Sequence, residues 1–342
     1  MNVIPWDGKP INVPGIYSGV PMRVYHGADL CVGPSISSSG LRRIFTDSAM
    51  QYWVYSPYNP NALEEPQKEA YILGRAAHHL VLGEQGFSRQ FVARPERYPP
   101  KKHDHEKNLW WRETKEDQGN AWSSNADWCR AWVQVAEHFG WTILTPSQID
   151  SIRGMAGLLP WQEGIEDCGL RNSAIVRAGA LSGLVEHTII AQDQETGVWL
   201  KARPDCIPLD STEANDFKTT QAVTDRAIQK TLDDFRYDMQ ADLTATCLEQ
   251  AADVGLTSFA LIFAMKGTPH ATRVVEMKPS DLAEAAEDNR TAIRTFARCL
   301  DKGRWPGPGG SAGDAAFIER STFSRERAAN RRAFLEMELE AA

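Results

Sequence analysis

From Ser173 to Thr220 the apolar residues of this chain fall into short strand-like pieces, whereas most patterned stretches before it have helical spacing. Residues 1–34 carry prolines, glycines and brief apolar bits (Ile11, Val13, Ile16, Val20, Met22, Val24), which predicts an N-terminal arm or a few short strands. Ser35-Ile36-Ser37-Ser38-Ser39 then precedes Gly40-Leu41-Arg42-Arg43-Ile44-Phe45, a serine-capped helix start. Further helices are expected over roughly Gln67 to Leu82, over Asn125 to Phe139 and from Thr145 to about Leu159. The last opens with Thr145-Pro146-Ser147-Gln148, a capping box with proline at the first helical position. Residues 95–123 are polar, with lysines around Trp110 and Trp111, and read as a solvated loop.

The second half predicts paired strands. Ala174-Ile175-Val176 is a short one, and Gly183 to Ala191 returns through the turn Gln194-Glu195-Thr196-Gly197 as Val198 to Arg203. Next comes Arg203-Pro204-Asp205, a turn at Asp210-Ser211-Thr212, and a strand carrying Asp216-Phe217-Lys218. Helices follow over Ala222 to Leu232 and Phe235 to Ala252. Strands are expected over Thr257 to Met265 and Thr272 to Met277, then a long amphipathic helix from Ser280 to Leu300. Trp305-Pro306-Gly307-Pro308-Gly309-Gly310 breaks the chain, and residues 311–342 form a tail expected to be helical from about Ser324.

The hairpin closing on Asp216 suggests chemistry. It brings Asp205 beside Asp216, and Lys218, two residues on, shares a strand face with Asp216. Two acids and a lysine on one face suit phosphodiester cleavage: the acids hold a hard cation, and the lysine positions an anionic nucleophile. Glu186 sits in an otherwise strand-like run, a local conflict of the kind found at functional sites. Tyr237 and Gln240 lie three apart on one helix face, and Gly74 and His78 four apart on another. The serine-rich helix start offers hydroxyls, backbone N–H groups and arginines to a phosphate.

Composition narrows the class. The chain has 342 residues, 42% hydrophobic and 24% charged, which reads as globular. A formal net charge of -8 means that any nucleic-acid site must be a local patch. The six cysteines show no C-x-x-C spacing, so reduced cysteines in a cytoplasmic protein are expected. The N-terminus shows no signal-peptide pattern, and the longest apolar run, Ser258 to Met265, is too short to span a membrane. No G-x-S-x-G, Walker A or H-E-x-x-H motif is present.

Taken in order, Gly74-x-x-x-His78, Glu186, Arg203-Pro204-Asp205, Asp216-Phe217-Lys218-Thr219-Thr220 and Tyr237-x-x-Gln240 resemble the PD-(D/E)xK nuclease superfamily. Within it, the chain is most similar to the exonuclease VIII (RecE-type) branch of phage and prophage recombination exonucleases. The serine-rich helix start and Trp305-Pro306 also fit that branch, and the resemblance covers roughly residues 35–310. It implies an α/β fold with a central mixed sheet flanked by helices. It implies Mg²⁺-dependent (Mn²⁺ substituting) 5′-to-3′ digestion of one strand of linear double-stranded DNA from its ends. By the same resemblance Asp205, Asp216 and the Phe217 carbonyl are ligands of a first ion, and Glu186 and His78 support a second. Lys218 positions the attacking water, and Tyr237 and Gln240 orient the lysine and substrate. Ser39, Arg42, Arg43 and Arg75 are the candidates for holding phosphate. The resemblance further implies a trimeric or tetrameric ring and makes a single-strand annealing protein a plausible partner. A nicking or structure-specific endonuclease on the same fold, and a non-catalytic DNA-binding recombination protein, are the alternatives.

Overall fold

The structure is a computed structural model of the whole chain. It describes residues 1–65, 69–82, 87–99, 101–104, 109–112, 119–209, 211–309, 315 and 317–340. The longer elements of the first half are β1 (Val3–Pro5), β2 (Gly15–Ser18), β3 (Ser35–Ser37), α1 (Ser38–Thr46), α2 (Ala49–Val54), α3 (Glu69–Val81), α4 (Asp127–His138) and α5 (Pro146–Ala156). In the second half lie β4 (Gly183–Val185), β5 (Thr188–Gln192), β6 (Trp199–Ala202), β7 (Cys206–Pro208), β8 (Glu213–Thr220), α6 (Asp225–Phe235) and α7 (Tyr237–Ala252). They are followed by β9 (Ser258–Met265), β10 (Thr272–Glu276), α8 (Pro279–Lys302) and α9 (Thr322–Glu340).

The fold is α/β, with mixed sheets flanked by helices. Where one central sheet was expected, there are two five-stranded ones, ordered β1-β2-β5-β6-β3 and β4-β7-β8-β9-β10. In the second, β8 runs parallel to β9 over eight residue pairs, from Glu213↔Ser258 to Thr220↔Met265, while β7 and β10 are antiparallel to their neighbours. A parallel pair with helices on both faces is buried on both. Ala214, Phe259, Leu261 and Phe263 face a core shared with α1, α7 and α8. Phe217, Ile262 and Ala264 face the opposite core, with Ala76 and Ala77 of α3 and Ile152 and Met155 of α5. The strand period of two thus sets Asp216 and Lys218 on the α7 side and Phe217 on the α3 side.

Several elements differ from the sequence reading. Residues 1–34 do not stand apart as an arm: β2 pairs with β5 through Ile16↔Ile189, and Ile16 and Leu30 are completely buried. The short strands expected as the alternative are present, at Val3–Pro5 and Gly15–Ser18. Ala174–Arg177 is a helical turn rather than a strand. The run from Gly183 to Ala191 splits into β4 and β5 at Glu186, which has a left-handed backbone with φ of 53°. Within residues 95–123 the chain forms the short strands Arg97–Tyr98, Lys101–Asp104, Leu109–Arg112 and Asn120–Ala121. Residues 100, 105–108 and 113–118 of that stretch lie outside the described residues. Thr145 and Gln148 do form the reciprocal capping box on α5. All six cysteines are unpaired and buried. Among the described residues no helix is long and apolar enough to cross a membrane.

Beneath the first sheet a small core of Tyr17, Val20, Tyr25, Leu30 and Trp199 encloses Lys201, whose Nζ donates to the Tyr25 carbonyl at 2.6 Å. Burial pulls its pKa from 10.5 down to about 8, partly offset by Cys31. Between those pH values the unfolded chain holds a proton that the folded protein releases, so folding stability rises with pH across that window. The cost of charging Lys201 in the folded state is roughly 3 kcal/mol at neutral pH. Chemical denaturation of wild type and Lys201→Met from pH 7.5 to 10.5 should show a wild-type stability gain with rising pH that the variant lacks.

Candidate metal centre

The site lies where β7 meets β8. Asp205 and Asp216 flank the one ladder pair joining these strands, Cys206↔Asn215, and each carboxylate accepts from a backbone amide across the hairpin. The Asp205 amide donates to Asp216 Oδ1 at 3.3 Å, and the Phe217 amide donates to Asp205 Oδ2 at 2.5 Å. Both carboxylates are nearly inaccessible, with exposures of 6% and 1%. Buried carboxylates are retained where they are paired, hydrogen-bonded or bound to a metal.

Each acid has its own cation and its own helix. Lys218 Nζ forms an ion pair with Asp216 Oδ2, and Gln240 Nε2 of α7 donates to the same oxygen at 2.9 Å. Tyr237, one helical turn before Gln240, places its ring 4.8 Å from Lys218 Nζ. On the other side of β8, His78 Nδ1 of α3 lies 3.4 Å from Asp205 Oδ2, and its ring packs 4.9 Å from the Phe217 ring. Ala76 and Ala77 of α3 are completely buried in the core that holds Phe217, and a Cβ on Gly74 would meet Thr219 at ordinary contact distance, 3.6 Å. Glu186 donates its amide to the Asp205 carbonyl at 3.1 Å from its left-handed turn. Such a backbone costs about 1–3 kcal/mol and persists when its surroundings hold it. Ligand atoms of His78, Glu186 and Asp205 all lie within 4.8 Å of one another.

The charges balance locally. Burial and the neighbouring Asp205 charge push the Asp216 carboxyl up, against the pull of Lys218. Asp205 moves the other way: burial raises it, but His78, Lys218 and the Phe217 amide together hold it below the usual carboxylate range. Burial would strip the charge from His78, yet Asp205 keeps it raised. Lys218 likewise stays firmly protonated, Asp216 and Tyr237 outweighing burial. The donor set suits a divalent cation. It supplies carboxylate oxygens and an imidazole, and beside Asp216 the buried Gln240 Oε1 has no hydrogen-bond partner.

The structure thus gathers Glu186, Asp205, Asp216, Phe217, Lys218, Tyr237, Gln240 and His78. Arg42 joins them, its guanidinium 5.6 Å from the Tyr237 ring centroid. Ser39 is exposed on the first turn of α1, in hydrogen bond with Ser37 Oγ. Arg43 and Arg75 are engaged outside this group. Arg43 pairs with Glu65 at 2.6 Å, and Arg75 donates to Thr142 and covers the Phe91 ring. Sequence reasoning missed Arg236, which joins α6 to α7 with φ of 49° and bonds Asp238 and Asp288. Its partner Asp288 lies 52 positions away, beyond any local signal.

Residues 161–318 match the family model described as a PDDEXK-like domain of unknown function. That stretch contains Glu186, both aspartates, Lys218, Tyr237 and Gln240, and not His78 or Arg42. No curated protein matches the chain. Among solved structures it is similar to one from Eubacterium rectale described as a putative exonuclease. The TM-score is 0.52 at 10% identity, over 84% of this chain and 91% of that one. At that identity the likeness concerns the fold. The matched stretch is thus similar to PDDEXK-like domains, and the solved structure shares the fold.

Removing one member of a buried ion pair strands the other. Lys218→Ala should therefore destabilise the metal-free protein by about 3 kcal/mol or more. Added Mn²⁺ should recover much of that loss, because a cation can take over the charge of Asp216. Urea denaturation in EDTA and in Mn²⁺ checks both; equal loss in the two conditions would speak against a cation next to Asp216.

Proposed function

We propose that the protein is a divalent-cation-dependent exodeoxyribonuclease that resects linear double-stranded DNA from its ends, 5′ to 3′, in phage-type recombination. The observation that carries the nuclease reading is the buried Asp205–Asp216 pair with Lys218 and Gln240 both on Asp216 Oδ2. The likeness in fold to a structure described as an exonuclease supports end-directed cutting. Mg²⁺ is the proposed ion, with Mn²⁺ able to replace it, because carboxylate-rich sites suit small hard cations. The cytoplasm, a ring of three or four copies and a single-strand annealing protein are proposed with it, on the resemblance of the motifs.

Asp205, Asp216 and the Phe217 carbonyl would hold the first ion, with Glu186 and His78 next to it. A divalent cation held there would supply Lewis acidity and lower the pKa of water near the phosphate. The protein's own groups do the rest. Lys218 Nζ, kept protonated, donates to the attacking oxygen and faces the negative charge that develops on the phosphate. Gln240 fixes Asp216, and Tyr237 limits where Lys218 can swing. Arg42 and the hydroxyl of Ser39 would take a neighbouring phosphate.

End-labelled linear duplex DNA in Mg²⁺ should release its 5′ label, and EDTA should stop the release. Asp216→Ala should abolish cutting, whereas Lys218→Ala should cut at least a thousandfold more slowly, on the order of other charge-stabilising groups, while binding DNA. A covalently closed circle should stay intact. Cutting of the circle would replace the exonuclease by an endonuclease; tight binding without cutting of either would leave a DNA-binding protein.

A further inference from the structure

Phe235 is half exposed, at 50%, next to a buried charged site. Its ring stacks on Tyr237 with centroids 5.7 Å apart and planes 12° from parallel. Tyr237 in turn lies against Lys218, so a continuous row runs from Asp216 through Lys218 and Tyr237 to Phe235 and then to solvent.

The residue is held unusually firmly for an exposed one. Arg42 donates to the Phe235 carbonyl at 2.6 Å, from the helix that starts with Ser38 and Ser39. The next residue, Arg236, takes the left-handed conformation that ends α6, its amide bonded to the Leu232 carbonyl at 2.8 Å. Its guanidinium is fixed by Asp238 and Asp288 and covers the Phe45 ring at 5.2 Å. A non-glycine residue in this backbone state costs free energy that its surroundings must offset. These contacts hold the backbone that carries a large apolar ring half exposed to solvent.

We propose that Phe235 is the stacking platform for the base of the nucleotide whose phosphate is cut, and that this base is unpaired when it arrives. This rests on the nuclease reading above and adds the state of the substrate. A base sits one sugar away from its phosphate. If the phosphate lies at Asp216 and Lys218, the nearest exposed π-face along the Lys218–Tyr237 row is Phe235. A base inside a duplex has neighbours on both faces and cannot stack on a side chain unless it leaves them. Stacking of this kind tolerates any base, since each has a π-face, and so adds no sequence preference.

Two linear substrates test this, differing only in whether the nucleotide at the cut end carries a base or is abasic. Wild type should cut the abasic end roughly fivefold to a hundredfold more slowly, in line with the loss of one stacked base. Phe235→Ala should cut the intact end as slowly as wild type cuts the abasic one, and should no longer distinguish the two. Phe235→Tyr should restore both rate and discrimination. Retained discrimination in Phe235→Ala, or equal cutting of both ends by wild type, overturns the proposal. A separate arm uses end-placed 2-aminopurine DNA bound in Ca²⁺. Its fluorescence should be quenched by wild type and Phe235→Tyr but not by Phe235→Ala, and equal quenching by all three also overturns the proposal. If wild type cuts nothing in any cation, the nuclease reading fails, while this quenching still reports on stacking at Phe235.

Discussion

Two carboxylates share a buried corner in this protein, and like charges a few ångströms apart in a low-dielectric interior cannot both stay ionised without nearby positive charge. Asp205 and Asp216 meet this constraint by dividing their partners. Lys218 and Gln240 attend Asp216 from the α7 side, and His78 attends Asp205 from the α3 side. The opposed shifts of the two acids, Asp216 upward and Asp205 downward, follow from this division. A divalent cation held by both acids would relieve the same constraint more completely.

The fold serves this corner through β8, a strand buried on both faces. Its alternation sends Asp216 and Lys218 toward one core and Phe217 toward the other, so α7 and α3 each bring one polar group to the acids. The parallel pairing of β8 with β9 over the full length of both strands keeps that register rigid. A slip by one residue would turn Asp216 and Lys218 toward α3 and move Phe217 out of its core. The strained turns at Glu186 and Arg236 sit on either side of the same corner, where backbone strain is held in place by hydrogen bonds and ion pairs.

The parts of this arrangement that could be read from sequence are those with short separations. The i,i+2 relation of Asp216 and Lys218 and the i,i+3 relation of Tyr237 and Gln240 are properties of a strand and a helix, and both pairs meet as expected. The hairpin from Asp205 to Asp216 was legible because a turn separates two apolar stretches. What depended on distant pairing was not. The incorporation of β2 into a sheet with β5, the division of one expected sheet into two, and the Arg236–Asp288 bond all join segments with no local signal. Glu186 illustrates the middle case: its conflict with a strand pattern was visible, and the structure resolves it as a break between β4 and β5. The arginines show where residue type misleads. Arg43 and Arg75 resemble Arg42 in a list of basic residues, but their helix faces direct them to Glu65 and Thr142.

The claim on which the account turns is that the Asp205–Asp216 corner is a cation site whose charge Lys218 shares. Anomalous diffraction from crystals soaked in Mn²⁺ tests this most directly. The account predicts a peak contacting both Asp205 and Asp216, with Lys218 Nζ withdrawn from Asp216 Oδ2. Full Mn²⁺ soaking that leaves the Lys218–Asp216 pair closed, with no peak beside either aspartate, would contradict it.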